Sequence, residues 1–179
     1  MGVTGQHTGG RIAALGLAAM LAGCVDSAAP LLDGAKPLLG PSARLHMYSF
    51  TDGKASGPTV ATFRWDGTQY RVVGRATFDV AAFTAVAFEG DDLIVQSTSS
   101  RPQIKGIEYA LAHKVADGAY LVSPIDEDDA DAATRANVCA KGGSDSCRVA
   151  NRDALIALAH ASAAKIARKG ALVVVMGGR

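Results

Sequence analysis

Cys139 and Cys147 are the residues whose type and spacing most directly suggest chemistry. A short loop holding Gly142 and Gly143 separates them, so the chain can turn and bring the thiols together. Three chemistries compete for such a pair: a structural disulfide, a metal site and a redox couple. A metal site needs further His or Cys ligands, and the nearest histidines in sequence, His113 and His160, stand alone. A redox couple is more typically Cys-x-x-Cys, which this spacing is not. The acids Asp126, Glu127, Asp128, Asp129 and Asp131 offer oxygens for Ca²⁺, but Ala130 interrupts the alternation a binding loop needs. They read instead as a solvated loop leading into a short helix, with acids at its positive end. Gly142-Gly143-Ser144-Asp145-Ser146 lacks the last glycine of a nucleophile elbow. His46, His113 and His160 are isolated, and neither a phosphate loop nor a helical metal motif occurs. No catalytic, cofactor-binding or metal-ligating residue is therefore assigned, and the chain reads as a non-enzyme.

The compartment bears on the cysteine pair, and the N-terminus speaks to it. Arg11 is the only fixed positive charge ahead of an uncharged apolar run over residues 12–22. That run is shorter than the roughly 20 residues of a spanning helix. A positive residue, a short apolar run and small residues make a secretory signal peptide, expected over 1–23. The run ends in Leu21-Ala22-Gly23-Cys24, which resembles the lipobox of bacterial lipoprotein precursors. The resemblance implies that Cys24 receives a diacylglycerol, that cleavage occurs before it, and that the mature chain is 24–179. Val25, rather than Asp, follows the cysteine, which in that family favours the outer membrane, facing the periplasm. Two or three acyl chains anchor durably, whereas one holds only marginally. Outside the cytoplasm the remaining cysteines, Cys139 and Cys147, are expected to form a disulfide.

Composition narrows the partners. Apolar residues make up 49% of the chain of 179, charged residues 20% and aromatics 6%, which excludes a disordered or coiled-coil protein. Lys+Arg 18 against Asp+Glu 17 provides no basic field for nucleic acid, and removal of the leader takes away only Arg11. The partners expected are the membrane, through the lipid on Cys24, and an envelope protein.

The elements that must carry these residues are mostly strands. Residues 24–43 hold Pro30, Pro37, Pro41, Gly34 and Gly40 and read as a lipidated tether spanning about 25 Å. Its leucines, Leu31, Leu32, Leu38 and Leu39, argue against a purely solvated linker. The domain is expected over 44–179. Three stretches, 63–72, 87–95 and 113–122, each place a glycine beside an acid between apolar runs. Such turns need the positive φ that Gly67, Gly90 and Gly118 supply freely, so three hairpins form an antiparallel meander of about six or seven strands. The aromatics Trp65, Tyr70, Phe78, Phe83, Phe88, Tyr109 and Tyr120 are expected to pack in it. Asn151 caps an amphipathic helix over 152–168, stopped by Gly170, and 171–176 forms a last strand.

The fold class expected is thus α+β, mainly a meander with one C-terminal helix. If the meander closes, it becomes a barrel of lipocalin-like outline that could bind a small molecule. The function expected is a structural or protein-interaction role in the envelope, with that small-molecule-binding barrel as the alternative.

Overall fold

The computed structural model describes residues 25–51, 54–74, 79–102, 104–140 and 147–176. The strands are β1 (Val25–Ser27), β2 (Ser42–Tyr48), a small hairpin of β3 (Phe50–Thr51) and β4 (Lys54–Ala55), then β5 (Thr59–Trp65) and β6 (Tyr70–Val73). They continue as β7 (Val80–Ala87), β8 (Asp92–Ser99), β9 (Ile107–Ala116), β10 (Ala119–Pro124), β11 (Cys139–Ala140), β12 (Cys147–Val149) and β13 (Ala171–Met176). The helices are α1 (Ala132–Val138), α2 (Arg152–Ala163) and α3 (Ile166–Lys169).

The meander closes. Strands run in the order β10-β13-β2-β5-β6-β7-β8-β9, and β9 pairs back onto β10, giving an eight-stranded antiparallel barrel. The three expected hairpins are β5–β6, β7–β8 and β9–β10, and their turn glycines have φ of 105°, 54° and 70°. The last strand, β13, closes the wall by pairing Leu121 with Leu172 on one side and Val174 with His46 on the other. Bulges at Val80/Ala82 and Ala119/Tyr120 add the local twist that closure requires.

Two apolar cores result, one on each face of the wall. Inside lie Ala43, Met47, Ala61, Phe63, Tyr70, Val80, Phe83 and Ala171. Outside β8 and β9, a second core unites Ile94, Tyr109 and Leu111 with Leu155, Leu158 and Ala159 of α2. Asn151 caps α2 by accepting from the Ala154 N–H at 2.9 Å, as its position in sequence suggested. The helix expected over 152–168 is instead broken after Ala163. Lys165 N–H bonds the Ser162 carbonyl and its Nζ reaches the Asp129 carbonyl at 3.2 Å, so the chain turns and α3 restarts with Ile166 buried.

The tether is also corrected at its start. Val25 is fully buried, and β1 is a strand of the sheet, antiparallel to β9 and parallel to β12. Beyond it, the Leu31 and Leu32 N–H groups donate to Gln96 Oε1 at 2.9 and 3.1 Å, and Leu32 is buried. Apolar burial and backbone pairing outweigh the prolines here, because Pro30, Pro37 and Pro41 all lie outside the paired segments. Cys24, residues 1–23, Phe78 and the loop 141–146 lie outside the described residues.

Candidate functional site

The site is the interior of the barrel. Along β2, β5, β7 and β9 alternate residues face inward, and several are small: Ala43, Ala61, Ala85 and Ala112 stand where larger side chains would fill the space. An eight-stranded barrel is just wide enough to be filled by side chains or to hold one small ligand. Alanine on the inner face tips that balance, and a cavity of about 90 Å³ remains. Its lining is apolar almost throughout, with Leu45, Val95, Val122 and Val173 on its walls and Ser97 among its few polar residues. These four aliphatic residues point inward yet are only half-buried.

One end is closed by aromatics and a strap of chain. Phe63, Tyr70 and Phe83 pack with ring centroids 5.0 Å apart, and Trp65 stands edge-on to Tyr70 at 5.1 Å. Tyr70 Oη donates to the Gly40 carbonyl at 2.7 Å and accepts from the Leu39 N–H at 2.9 Å. Residues 39–41 are thereby drawn beneath the barrel, with Leu39 entering the cavity lining.

The opposite end carries charge. Glu108 sits at the start of β9, on the same face as Ala110 and Ala112, and is only 8% exposed. Burial, and secondarily the charge of Asp26, push its carboxyl up to about 7; Arg101 opposes this and Asp79 adds to it. Its register partners are Ser97 on β8 and Asp26 on β1. Asp26 receives Arg148 Nε at 2.7 Å, and Asp79 is paired with Arg101. Outside the wall, Gln96 Nε2 reaches Thr84 Oγ1, and Tyr109 Oη lies 2.7 Å from Ser27 Oγ. That network holds the N-terminal segment on the barrel.

Of the residues singled out from sequence, Cys139 and Cys147 are joined, with Cα atoms 4.9 Å apart. Their bond closes the β11–β12 hairpin, and Cys147 is the register partner of Val25. Cys24 lies outside the described residues, as do Gly142 to Ser146. The acid cluster caps local structure: Asp126 accepts from Asp128 N–H and Asp131 from Thr134 N–H. No group of three or more metal-ligating side chains occurs among the described residues. The histidines are dispersed, with His113 against Asp92 at 2.5 Å and His160 beside Phe88 and Glu89. Sequence reading missed Glu108. The signal was present: it is an acid on the strand face that otherwise carries Ala110 and Ala112.

The fold and cavity define a closed antiparallel β-barrel with an apolar interior and one charged rim. Compared with protein-family models, curated proteins and solved structures, the chain matches none of them.

Proposed function

We propose that this chain is a lipid-anchored protein of the bacterial envelope whose barrel binds a slender apolar molecule, without catalysis. The observation that carries the binding reading is the apolar cavity of about 90 Å³ inside the closed barrel. An enclosed apolar space of roughly 150 Å³ takes up benzene, so this smaller one suits an alkyl chain end rather than a fused ring system. The anchor rests on Arg11, the apolar run and Leu21-Ala22-Gly23-Cys24. Lipid on Cys24, with Val25 following, would place the barrel on the outer membrane, facing the periplasm.

Two experiments test the two halves. Hexanol titrated into the full chain should perturb the NMR signals of the inner wall, and Val95→Phe, which fills the cavity, should abolish the effect. Absence of any inner-wall response would leave a structural or protein-interaction role in the envelope. For the anchor, labelled palmitate should mark the wild type and not Cys24→Ser, which should leave the membrane or persist as uncut precursor. Label on the mutant would refute the lipobox reading.

A further inference from the structure

Glu108 is more than nine-tenths buried, and its carboxyl makes no hydrogen bond within the described residues. It shares a strand face with Ala112, which lines the cavity, and its register partner Ser97 lines the cavity too. Charged groups approach from four neighbouring segments. Asp26 stands opposite on β1, Asp79 precedes β7, Arg101 follows β8, and Arg148 lies on β12. Both arginines are engaged, Arg148 by Asp26 and Arg101 by Asp79. Among the described residues no ion pair engages Glu108, which adjoins the cavity lining through its register partner Ser97.

We propose that Glu108 is the head-group site of the barrel, and that the ligand is a single-chain amphiphile with a primary ammonium head. The proposal rests on the reading of the cavity as a binding site, and specifies its ligand. The alkyl chain lies along Leu45, Val95 and Val173, and the ammonium meets the Glu108 carboxylate. An ammonium suits this end because, among the described residues, Asp26, Asp79 and Glu108 outnumber the paired Arg101 and Arg148. It also carries donors only, which match a carboxylate to which no described residue donates. A carboxylate head would add to the excess of negative charge. Because burial holds the carboxyl near 7, the ammonium gains its counter-ion only when Glu108 has lost its proton.

The test uses the full chain carrying Cys24→Ser, titrated by NMR with hexylamine, hexanol and hexanoate at about pH 5.5 and about pH 8, either side of the raised carboxyl. Hexanol should bind equally at both. Hexylamine should bind about tenfold more tightly at the higher pH, as expected when a neighbouring opposite charge favours ionisation. Hexanoate should be weakest there. Glu108→Gln should erase the pH dependence of hexylamine and leave hexanol unchanged, while Val95→Phe should remove all three. If hexanol binds but hexylamine shows no pH dependence, or keeps it in Glu108→Gln, the head-group site is wrong and the cavity stands. If none of the three binds, both are wrong.

Discussion

Glu108 makes the stability of this protein depend on pH in a definite direction. A carboxyl raised from 4.5 to about 7 holds its proton in the folded state after the unfolded chain has lost it. Its contribution is therefore fully present below the unfolded value and disappears as pH rises through the folded value. Glu108→Gln mimics the protonated form. It should match the wild type near pH 4.5 and be more stable near pH 8, by on the order of 2–3 kcal/mol. Chemical denaturation at the two pH values measures this, and a wild type as stable as the variant near pH 8 would contradict it. Tyr70 and Gly118 give further tests at this scale. Tyr70→Phe leaves the Leu39 N–H and the Gly40 carbonyl unpaired beneath the barrel and should cost about 1–3 kcal/mol. Gly118→Ala places a Cβ at φ 70° and 3.3 Å from the Val175 carbonyl, so it should cost at least about 1 kcal/mol. Thermal melts compare each with the wild type, and unchanged midpoints would contradict these roles.

Among the elements, β1 and the β11–β12 hairpin depend on each other. Val25 pairs with Cys147 and Asp26 with Arg148, in parallel, while Asp26 also faces Glu108 across the antiparallel pair with β9. The disulfide holds the hairpin that backs this short strand. From sequence its main effect is expected on the start of α2; the pairing adds the chain's N-terminal strand to what it secures. Closing so small a loop contributes about 2.5 kcal/mol, which in a domain of this size shifts the melting point by several degrees. Cys139→Ser with Cys147→Ser should show that drop. Hydrogen exchange should quicken at residues 25–27 and 147–149 while β5 to β8 stay protected. Uniform loosening of the barrel would show that the bond staples more than this edge.

At the scale of the whole molecule, polarity and attachment matter most. On β2, β5 and β6 the outward positions include the exposed Arg44, Arg64 and Arg71, while the inward ones are apolar. A membrane-spanning barrel shows lipid an apolar outer band, so this wall has the opposite sense. No helix among the described residues is long and apolar enough to cross a membrane. With lipid on Cys24, as proposed, the anchor joins the barrel without a free linker, because Val25 is already buried in the sheet. Limited Asp-N cleavage at the exposed Asp33 should then leave the barrel on the membrane, still held by β1 between β9 and β12. Release of an intact barrel into the supernatant would contradict this arrangement.

Local chemistry was legible in the residues themselves. Gly67, Gly90 and Gly118 beside acids mark three hairpins because only a tight turn calls for that pairing. Asn151 and Gly170 bracket the helical region, and the apolar run 171–176 is a strand from end to end. The cysteine pair, left over when Cys24 is assigned to lipid as proposed, reads as the disulfide that the structure contains. What the residues alone left open depends on partners far away in sequence. Closure needs β13 to insert between β10 and β2, which short-range patterning leaves undecided between an open meander and a barrel. The strand at Val25–Ser27 sits in a proline-rich stretch and exists because β9 and β12 offer it edges. The break after Ala163 comes from Ser162 and Lys165 reaching the 126–129 loop. Glu108 differs from any other acid on a strand only once the wall curves round and removes it from water. Alternation and turn chemistry act over a few residues, whereas closure, cavity and the burial of a charge are set by register across the whole sheet.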